Sequence, residues 1–237
     1  MMTRRIRTFV VTAFVSAVAL LTGCSHHEPQ YGTEHQLALP GKHQQVRAVA
    51  PAVDLSGENV DPLLQADIVF GQLQQVRGLT CIPVNRVVEV YASLKIAQIQ
   101  SEDQAKVVCD LLGCDALIVP TVTLYDPYNP PKFGASLQLF EKSGFSRVQQ
   151  VDARELSREA TPGPMQSLPA TGNFVQAVGM FDASNGTTRQ ALFLYAEGRH
   201  DPAGPLGSKE YLVSMDRYCG FAYASLIRDL VYRAGKQ

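Results

Sequence analysis

The sequence predicts an α/β protein: a single mixed β-sheet covered by helices, with a hairpin and an extended polar insertion. Three observations support this class. Short apolar segments typical of strands alternate with helical patterns in the first half of the globular region. The longest apolar segment, residues 115–125, leads through a proline-rich turn into a returning strand. The chain is 46% hydrophobic and 18% charged, which suits a protein with a core and excludes general disorder.

The elements of the first half each have a local signal. Residues 46–53 are predicted as a buried strand. Asp61 followed by Pro62 is a good N-cap and first position for a helix. Residues 80–84 form a second predicted strand, and Asn85 is suited to cap the helix that follows it.

The second half begins with a capped helix and continues as a meander. Residues 101–104, Ser-Glu-Asp-Gln, form a capping box, and Gly113 supplies the helix end. Residues 115–125 are then predicted to pair with a returning strand as a hairpin. The remaining predicted elements are strands at 133–140 and 174–181, a helix or alternatively a strand at 188–199, and a final helix from about Ser214.

The N-terminus has the features of an export signal. Residues 1–8 contain three arginines, and residues 9–21 are uncharged and apolar, shorter than the roughly 20 residues that span a bilayer. Residues 21–24, Leu-Thr-Gly-Cys, resemble a bacterial lipobox, which implies cleavage before Cys24 and a covalent diacylglycerol and N-acyl lipid on it. The next residue is Ser25 and not the Asp typical of inner-membrane retention in enteric bacteria, which favours the periplasmic face of the outer membrane in an organism with two membranes. The alternative is an ordinary signal peptide in which Cys24 is incidental.

The chain is predicted to divide into a signal peptide (1–23), a flexible tether (24–45) and one α/β domain (46–237). A mobile insertion is expected at 141–171. The tether holds four of the five histidines, but interleaved Gln, Pro and Gly favour a solvated linker over a metal site. We therefore expect no metal and no cofactor other than the lipid. The mature chain has 18 basic and 22 acidic residues. Its net charge of −4 does not provide the basic surface that nucleic-acid binding requires.

Four segments carry a family resemblance: residues 49–57, 81–84, 112–119 and 178–183. The most specific is the turn Leu-Gly-Cys-Asp-Ala at 112–116, which leads into a central strand. Together they resemble the periplasmic domain of the curli-secretion-channel lipoprotein and its relatives, including the lipoprotein activator of penicillin-binding proteins. The resemblance implies a fold and an envelope location over about residues 46–183. That channel needs two long hairpins per subunit, whereas only 115–140 is hairpin-like here, so pore formation is not expected.

Three cysteines of the globular region are candidates for a disulfide. Among Cys81, Cys109 and Cys114 one disulfide is a hypothesis with the pairing open, because exported proteins meet oxidising conditions. The alternative is that these are small buried thiols. His200 is the one histidine of the globular part, so it alone could activate a thiol. No nucleophile elbow, phosphate-binding loop or zinc-protease motif is present in the sequence. We expect no enzyme.

An aromatic and proline-rich cluster at the hairpin tip is the candidate partner-binding surface; the alternative is that its rings cover the end of the sheet. Its residues are Tyr125, Tyr128, Pro130, Pro131 and Phe133. The sequence thus predicts a membrane-anchored lipoprotein with a non-catalytic protein-binding domain, accessory to cell-envelope assembly or secretion. Two alternatives are a periplasmic small-ligand receptor or enzyme with an unrecognised site, and a subunit of an oligomeric export ring.

Overall fold

A computed structural model describes residues 37–39, 44–142, 174–201 and 203–234. The signal peptide, Cys24, most of the tether and nearly all of the predicted insertion at 141–171 lie outside the described residues. The described residues form one mixed sheet with helices packed on both faces. This architecture confirms the predicted α/β class.

The sheet combines a parallel half with an antiparallel meander. Its spatial order is β3-β1-β4-β5-β6, with β2 pairing β4 beyond the end of β1. The β1 strand runs parallel to β3 and β4, while β4, β5 and β6 are successively antiparallel. The strands are β1 (Gln45–Val49), β2 (Val53–Asp54), β3 (Leu79–Ile82), β4 (Ala116–Asp126), β5 (Lys132–Glu141) and β6 (Phe174–Asp182).

The helices form one layer on each face of the sheet. The first and last long helices share one apolar core, and the second and third pack on the other face. The helices are α1 (Pro62–Leu73), α2 (Val84–Leu94), α3 (Glu102–Leu112), α4 (Gly186–Ala196), α5 (Glu210–Val213) and α6 (Met215–Ala234), with a 3₁₀ turn at Gly207–Lys209.

Most local signals act as the sequence predicts. The Asp61 side chain accepts hydrogen bonds from the backbone N–H groups of Leu63 and Leu64 at 2.9 and 3.3 Å. The Ser101 hydroxyl oxygen accepts from the N–H of Gln104 at 3.3 Å, and Gly113 ends α3 at φ +67°. The segment 188–199, for which the sequence predicts a helix or alternatively a strand, is largely helix α4.

Two predictions near the start of the domain were wrong in detail. Asn85 does not cap α2, because the helix begins at Val84 with Pro83 in the N-cap position. Residues 46–53 are not one strand, since the ladder breaks between Val49 and Val53. Pro51 lies in that break, and a proline has no N–H to donate to a ladder.

The larger core lies between the sheet and helix α6. Its central side chains, including Tyr223 and Leu226, are fully buried. A fully buried side chain of this size contributes roughly 1.5–3 kcal/mol to folding. Near its end, α6 also reaches the outer strand β6, because Nη1 of Arg233 donates to the carbonyl oxygen of Gln176 at 3.1 Å. Such a contact covers part of the strand edge.

Candidate functional site

The hairpin tip projects from the end of the sheet at which β4 and β6 finish, here called the hairpin end. The backbone N–H of Tyr128 donates to the Asp126 carboxylate at 3.2 Å, which shapes the turn, and the Asn129–Pro130 peptide bond is cis. The carbonyl oxygen of Pro131 accepts from the N–H of Ala183 at 3.0 Å, which ties the turn to the end of β6. The tip is therefore held in place by the sheet.

The five predicted tip residues separate into buried and exposed members. Phe133 is fully buried and makes edge contacts with Tyr125 and with Tyr223, at centroid distances of 6.3 and 5.3 Å. Tyr125 is half-buried, and burial raises the pKa of its phenol. Pro131 is buried, whereas Pro130 is exposed and Tyr128 is 81% exposed. Phe133 therefore packs beneath helix α6 as part of the core, with Tyr125 against it, whereas Tyr128 and Pro130 are exposed.

Further apolar side chains are exposed at the hairpin end. Leu55, 67% exposed, follows β2 and donates its backbone N–H to the carbonyl oxygen of Val122 on β4 at 2.8 Å. Leu63, 45% exposed, lies in the first turn of α1, which starts at the same end. We call Leu55, Leu63, Tyr128 and Pro130 the apical surface. Sequence analysis missed the two leucines because nothing local marks them as exposed.

The loop behind Leu55 is organised by one carboxylate. Asp54 accepts from the Ser56 hydroxyl at 2.6 Å and from the backbone N–H groups of Ser56 and Val60, both at 2.9 Å. These hydrogen bonds, the one from the Ser56 hydroxyl first, lower the pKa of Asp54. Asp54 therefore fixes the loop that presents Leu55.

The opposite end of the sheet, here called the tether end, is where β1 and β4 begin and β5 finishes. The chain enters the sheet there at Gln45, leaves it at Glu141 and re-enters at Phe174. The predicted tether and insertion therefore both join the domain at this end. The two candidate partner-binding regions, the tip and the insertion, are attached at opposite ends of the sheet.

Two of the three candidate disulfide cysteines meet at the tether end. Cys109 lies in the last turn of α3 and Cys114 directly follows its Gly113 cap, where the N–H of Cys114 donates to the carbonyl oxygen of Cys109 at 3.1 Å. The two Sγ atoms are 3.1 Å apart, and both side chains are buried thiols. Their shared hydrogen bond raises the pKa of Cys109 and lowers that of Cys114.

Cys81 lies on the other face of the sheet. It packs with the core beneath α1 and α6, whereas Cys109 and Cys114 belong to the core beneath α2 and α3. Its register partner on β1 is Arg47. Burial raises the pKa of the Cys81 thiol, and the positive charge of Arg47 opposes this effect.

Arg47 is a buried cation that sequence analysis missed. Its side chain is only 1% exposed, and Nη2 donates to Oε1 of Gln45 at 2.9 Å, while Nε and Nη1 have no hydrogen-bond acceptor among the described residues. Burial lowers the pKa of the guanidinium, and the negative charge of Glu141 opposes this. An arginine within the apolar segment 46–53 was the available signal.

His200 borders a shallow groove of about 580 Å³ beside α4. Its Nδ1 lies 2.9 Å from the carbonyl oxygen of Ala196, so the ring is held against the helix end. The groove is lined by Arg189, Gln190, Phe193, Glu197, His200 and Ser208.

Cys219 is fully buried within α6, and burial raises the pKa of its thiol, which disfavours a thiolate.

Within the described part of the chain, no group of three or more His, Cys, Asp or Glu side chains is placed to hold a metal ion. No helix of that part is both long and apolar enough to cross a membrane.

The described residues thus form an open, mixed β-sheet with a layer of helices on each face. No family model and no curated protein matches the chain. Similar solved structures include the LpoB C-terminal domain from Salmonella enterica, with 9% identity, a TM-score of 0.41, and coverage of 61% of this chain and 87% of that one. A PelC dodecamer from Paraburkholderia phytofirmans has 9% identity, a TM-score of 0.38, and coverage of 83% and 94%. Lipoprotein GNA1162 from Neisseria meningitidis has 17% identity, a TM-score of 0.31, and coverage of 41% and 70%.

Proposed function

We propose that the protein is a lipid-anchored bacterial envelope protein whose α/β domain binds protein partners through the apical surface. The observation that carries this proposal is the sequence of the N-terminus. Three arginines, a short apolar run and Leu-Thr-Gly-Cys follow one another in the order of a lipoprotein signal. Acyl chains on Cys24 would bury many methylenes at about 0.8 kcal/mol each, which is sufficient for stable anchoring.

The polarity of the sheet supports the choice of the apical surface. The chain coming from Cys24 enters the sheet at Gln45, at the tether end, where residues 37–39 already contact the domain through the N–H of Leu39, which donates to the carbonyl oxygen of Arg77 at 3.0 Å. The hairpin tip lies at the other end of β4, whose 11 residues extend about 35 Å at 3.3 Å per residue. A partner can therefore reach Tyr128 without approaching the point at which the domain joins its tether.

The chemistry of the apical surface suits a protein partner. Tyr128 offers an exposed aromatic ring with a hydroxyl, and exposed Leu55 and Leu63 add aliphatic area. Aromatic residues surrounded by apolar contacts are typical of the centre of protein interfaces. Anchoring also confines the domain to the membrane surface, which raises its effective concentration toward neighbouring envelope proteins.

The anchor is tested by mass spectrometry of the N-terminal peptide in wild type and Cys24→Ser. We expect an acylated peptide that starts at Cys24 in wild type, and an unprocessed chain that retains residues 1–23 in the variant. Normal cleavage of Cys24→Ser, with no acyl group on the wild type, would show an ordinary signal peptide and refute the anchor.

The docking surface is tested by placing a photo-crosslinking amino acid at Tyr128 in the full-length protein in its own membranes. The matched control position is Leu194, 64% exposed on α4. We expect a discrete adduct from position 128 that Leu55→Asp abolishes, and no such adduct from position 194. Equal adducts from both positions, or none, would refute the apical surface. Deleting residues 141–171 in parallel tests the other candidate region: loss of the position-128 adduct on deletion would assign docking to the insertion.

A further inference from the structure

We propose that Cys109 and Cys114 form an intramolecular disulfide in the exported protein, which locks the junction between α3 and β4. The proposal rests on the export step of the proposed function, because that step places the chain in an oxidising compartment. It selects one pair from the three cysteines that the sequence left open.

The sulfur atoms of Cys109 and Cys114 lie close together. The two Sγ atoms lie 3.1 Å apart, about 1 Å farther than in a disulfide, and only four residues separate the cysteines in sequence. The turn between them is fixed by Gly113 at φ +67° and by the hydrogen bond from Cys114 to Cys109. The backbone thus holds both sulfurs in place, and a small rotation of the side chains closes the bond.

The position of the pair gives the bond a structural role. Cys114 immediately precedes Asp115, whose carboxylate accepts from the N–H of Val46 on β1 at 2.8 Å. The carbonyl oxygen of Asp115 accepts from the N–H of Lys142 at 2.8 Å, next to the end of β5. A disulfide here would hold the point at which β1, β4 and β5 meet, on the side where the tether enters.

The oxidant in the proposed reaction is a thiol–disulfide oxidoreductase. The Cys114 thiolate attacks one sulfur of that protein's disulfide, which releases its second sulfur as a thiolate. Cys109 then loses its proton and attacks Sγ of Cys114, which releases the remaining thiolate of the partner. Two thiols of this chain are oxidised to one disulfide, and the partner's disulfide is reduced to a dithiol. Both cysteines are buried in the folded domain, so the exchange takes place before α3 packs onto the sheet.

The test is alkylation mapping of the full-length protein taken from its own membranes. Denatured protein is treated with N-ethylmaleimide before and after reduction and then digested with trypsin. Cys109 and Cys114 fall in one peptide, 107–132, whereas Cys81 falls in peptide 78–86 and Cys219 in peptide 218–228. We expect peptide 107–132 to be two hydrogens lighter than the dithiol and to be labelled only after reduction.

Each other outcome has a defined meaning. Two labels on peptide 107–132 without reduction, in protein acylated at Cys24, would overturn the disulfide. A crosslink from peptide 78–86 to peptide 107–132 would overturn the pairing. If Cys24 carries no lipid, the proposed function fails separately, and the purified chain is instead unfolded in urea and refolded with oxidised glutathione, because both thiols are buried in the folded domain. Closure of the 109–114 bond would then support the geometry, and two labels would refute it.

A second measurement follows the stability that the bond provides. We expect a reductant to lower the Tm of wild type and of Cys81→Ser, the matched control. The double variant Cys109→Ser with Cys114→Ser should have a Tm that does not respond to reductant. An equal response in all three proteins would overturn the proposal.

Discussion

Asp115 and Val46 join the starts of the parallel strands β1 and β4 through a pair of reciprocal hydrogen bonds. The backbone N–H of Val46 donates to Oδ2 of Asp115 at 2.8 Å, and the N–H of Asp115 donates to the carbonyl oxygen of Val46 at 2.7 Å. The carboxylate therefore pairs a backbone donor at the start of β1. Its role at this strand end is to fix the register in which β1 meets β4.

Asp115→Ala is expected to lower the free energy of unfolding by about 1–2 kcal/mol, because the Val46 N–H loses a charged acceptor. Asp103→Ala, in the first turn of α3, is the control for loss of a carboxylate and should change stability less. Urea denaturation of both variants measures the difference. Equal stability of Asp115→Ala and wild type would contradict the assigned role.

Arg47→Met is expected to leave stability unchanged or to raise it by about 1 kcal/mol. The substitution removes a buried cation with two nitrogens that find no acceptor in the part of the chain that the structure describes, and it retains most of the apolar volume. Arg86→Met on the exposed face of α2 should remain within about 0.5 kcal/mol of wild type. A loss of stability in Arg47→Met alone, seen by thermal unfolding, would show that the guanidinium has a strong partner in solution.

Gly179 allows β6 and α6 to approach closely, whereas Gly186 lies in open space. A Cβ at 179 would lie 2.9 Å from Cε2 of Phe181 and 3.1 Å from Cδ2 of Leu226, while no neighbouring atom of the described residues lies within 4 Å of one at 186. Gly179→Ala should cost about 1–3 kcal/mol through overpacking. Gly186→Ala should be neutral or stabilising by up to about 1 kcal/mol, because alanine favours helix.

Chemical denaturation compares the two alanine variants directly. Similar stabilities for Gly179→Ala and Gly186→Ala would contradict the close packing of β6 on α6. Loss of stability in Gly186→Ala alone would show that the start of α4 is more crowded than the structure indicates.

Asp54 is expected to make the domain sensitive to acid. Its pKa is lower in the folded protein than its ordinary value of 3.8. Its contribution to stability is therefore fully present above that ordinary value and is lost as pH falls through the lowered folded value. Asp54→Asn should reduce stability at neutral pH and flatten its decline below about pH 4. The exposed Asp67→Asn is the control.

Thermal unfolding between pH 2 and pH 7 provides the measurement for Asp54. Because Asp110 and Asp182 also have lowered pKa values through their hydrogen bonds to Lys142 and Ser184, part of the acid response will remain in the variant. A decline with pH identical in Asp54→Asn and wild type would refute the role of Asp54 in the loop that carries Leu55.

The sequence alone determined those features that depend on neighbours along the chain. The cap at Asp61, the helix end at Gly113 and the hairpin of residues 115–140 follow from interactions within a few residues, so their signals are visible in the printed sequence. The Leu-Thr-Gly-Cys segment at 21–24, on which the proposed lipid anchor rests, is local in the same way. The same reasoning failed at Asn85, because the N-cap position is taken by Pro83, two residues earlier.

Only the tertiary structure decided the relationships that depend on strand order and register. The sequence could not show that Cys81 lies on the opposite face of the sheet from Cys109 and Cys114, because the face of a strand residue changes with each one-residue shift of register. It could not separate buried Phe133 from exposed Tyr128, since helix α6, nearly 90 residues later, supplies the cover. Burial and proximity between distant segments result from packing the whole chain, which no local pattern encodes.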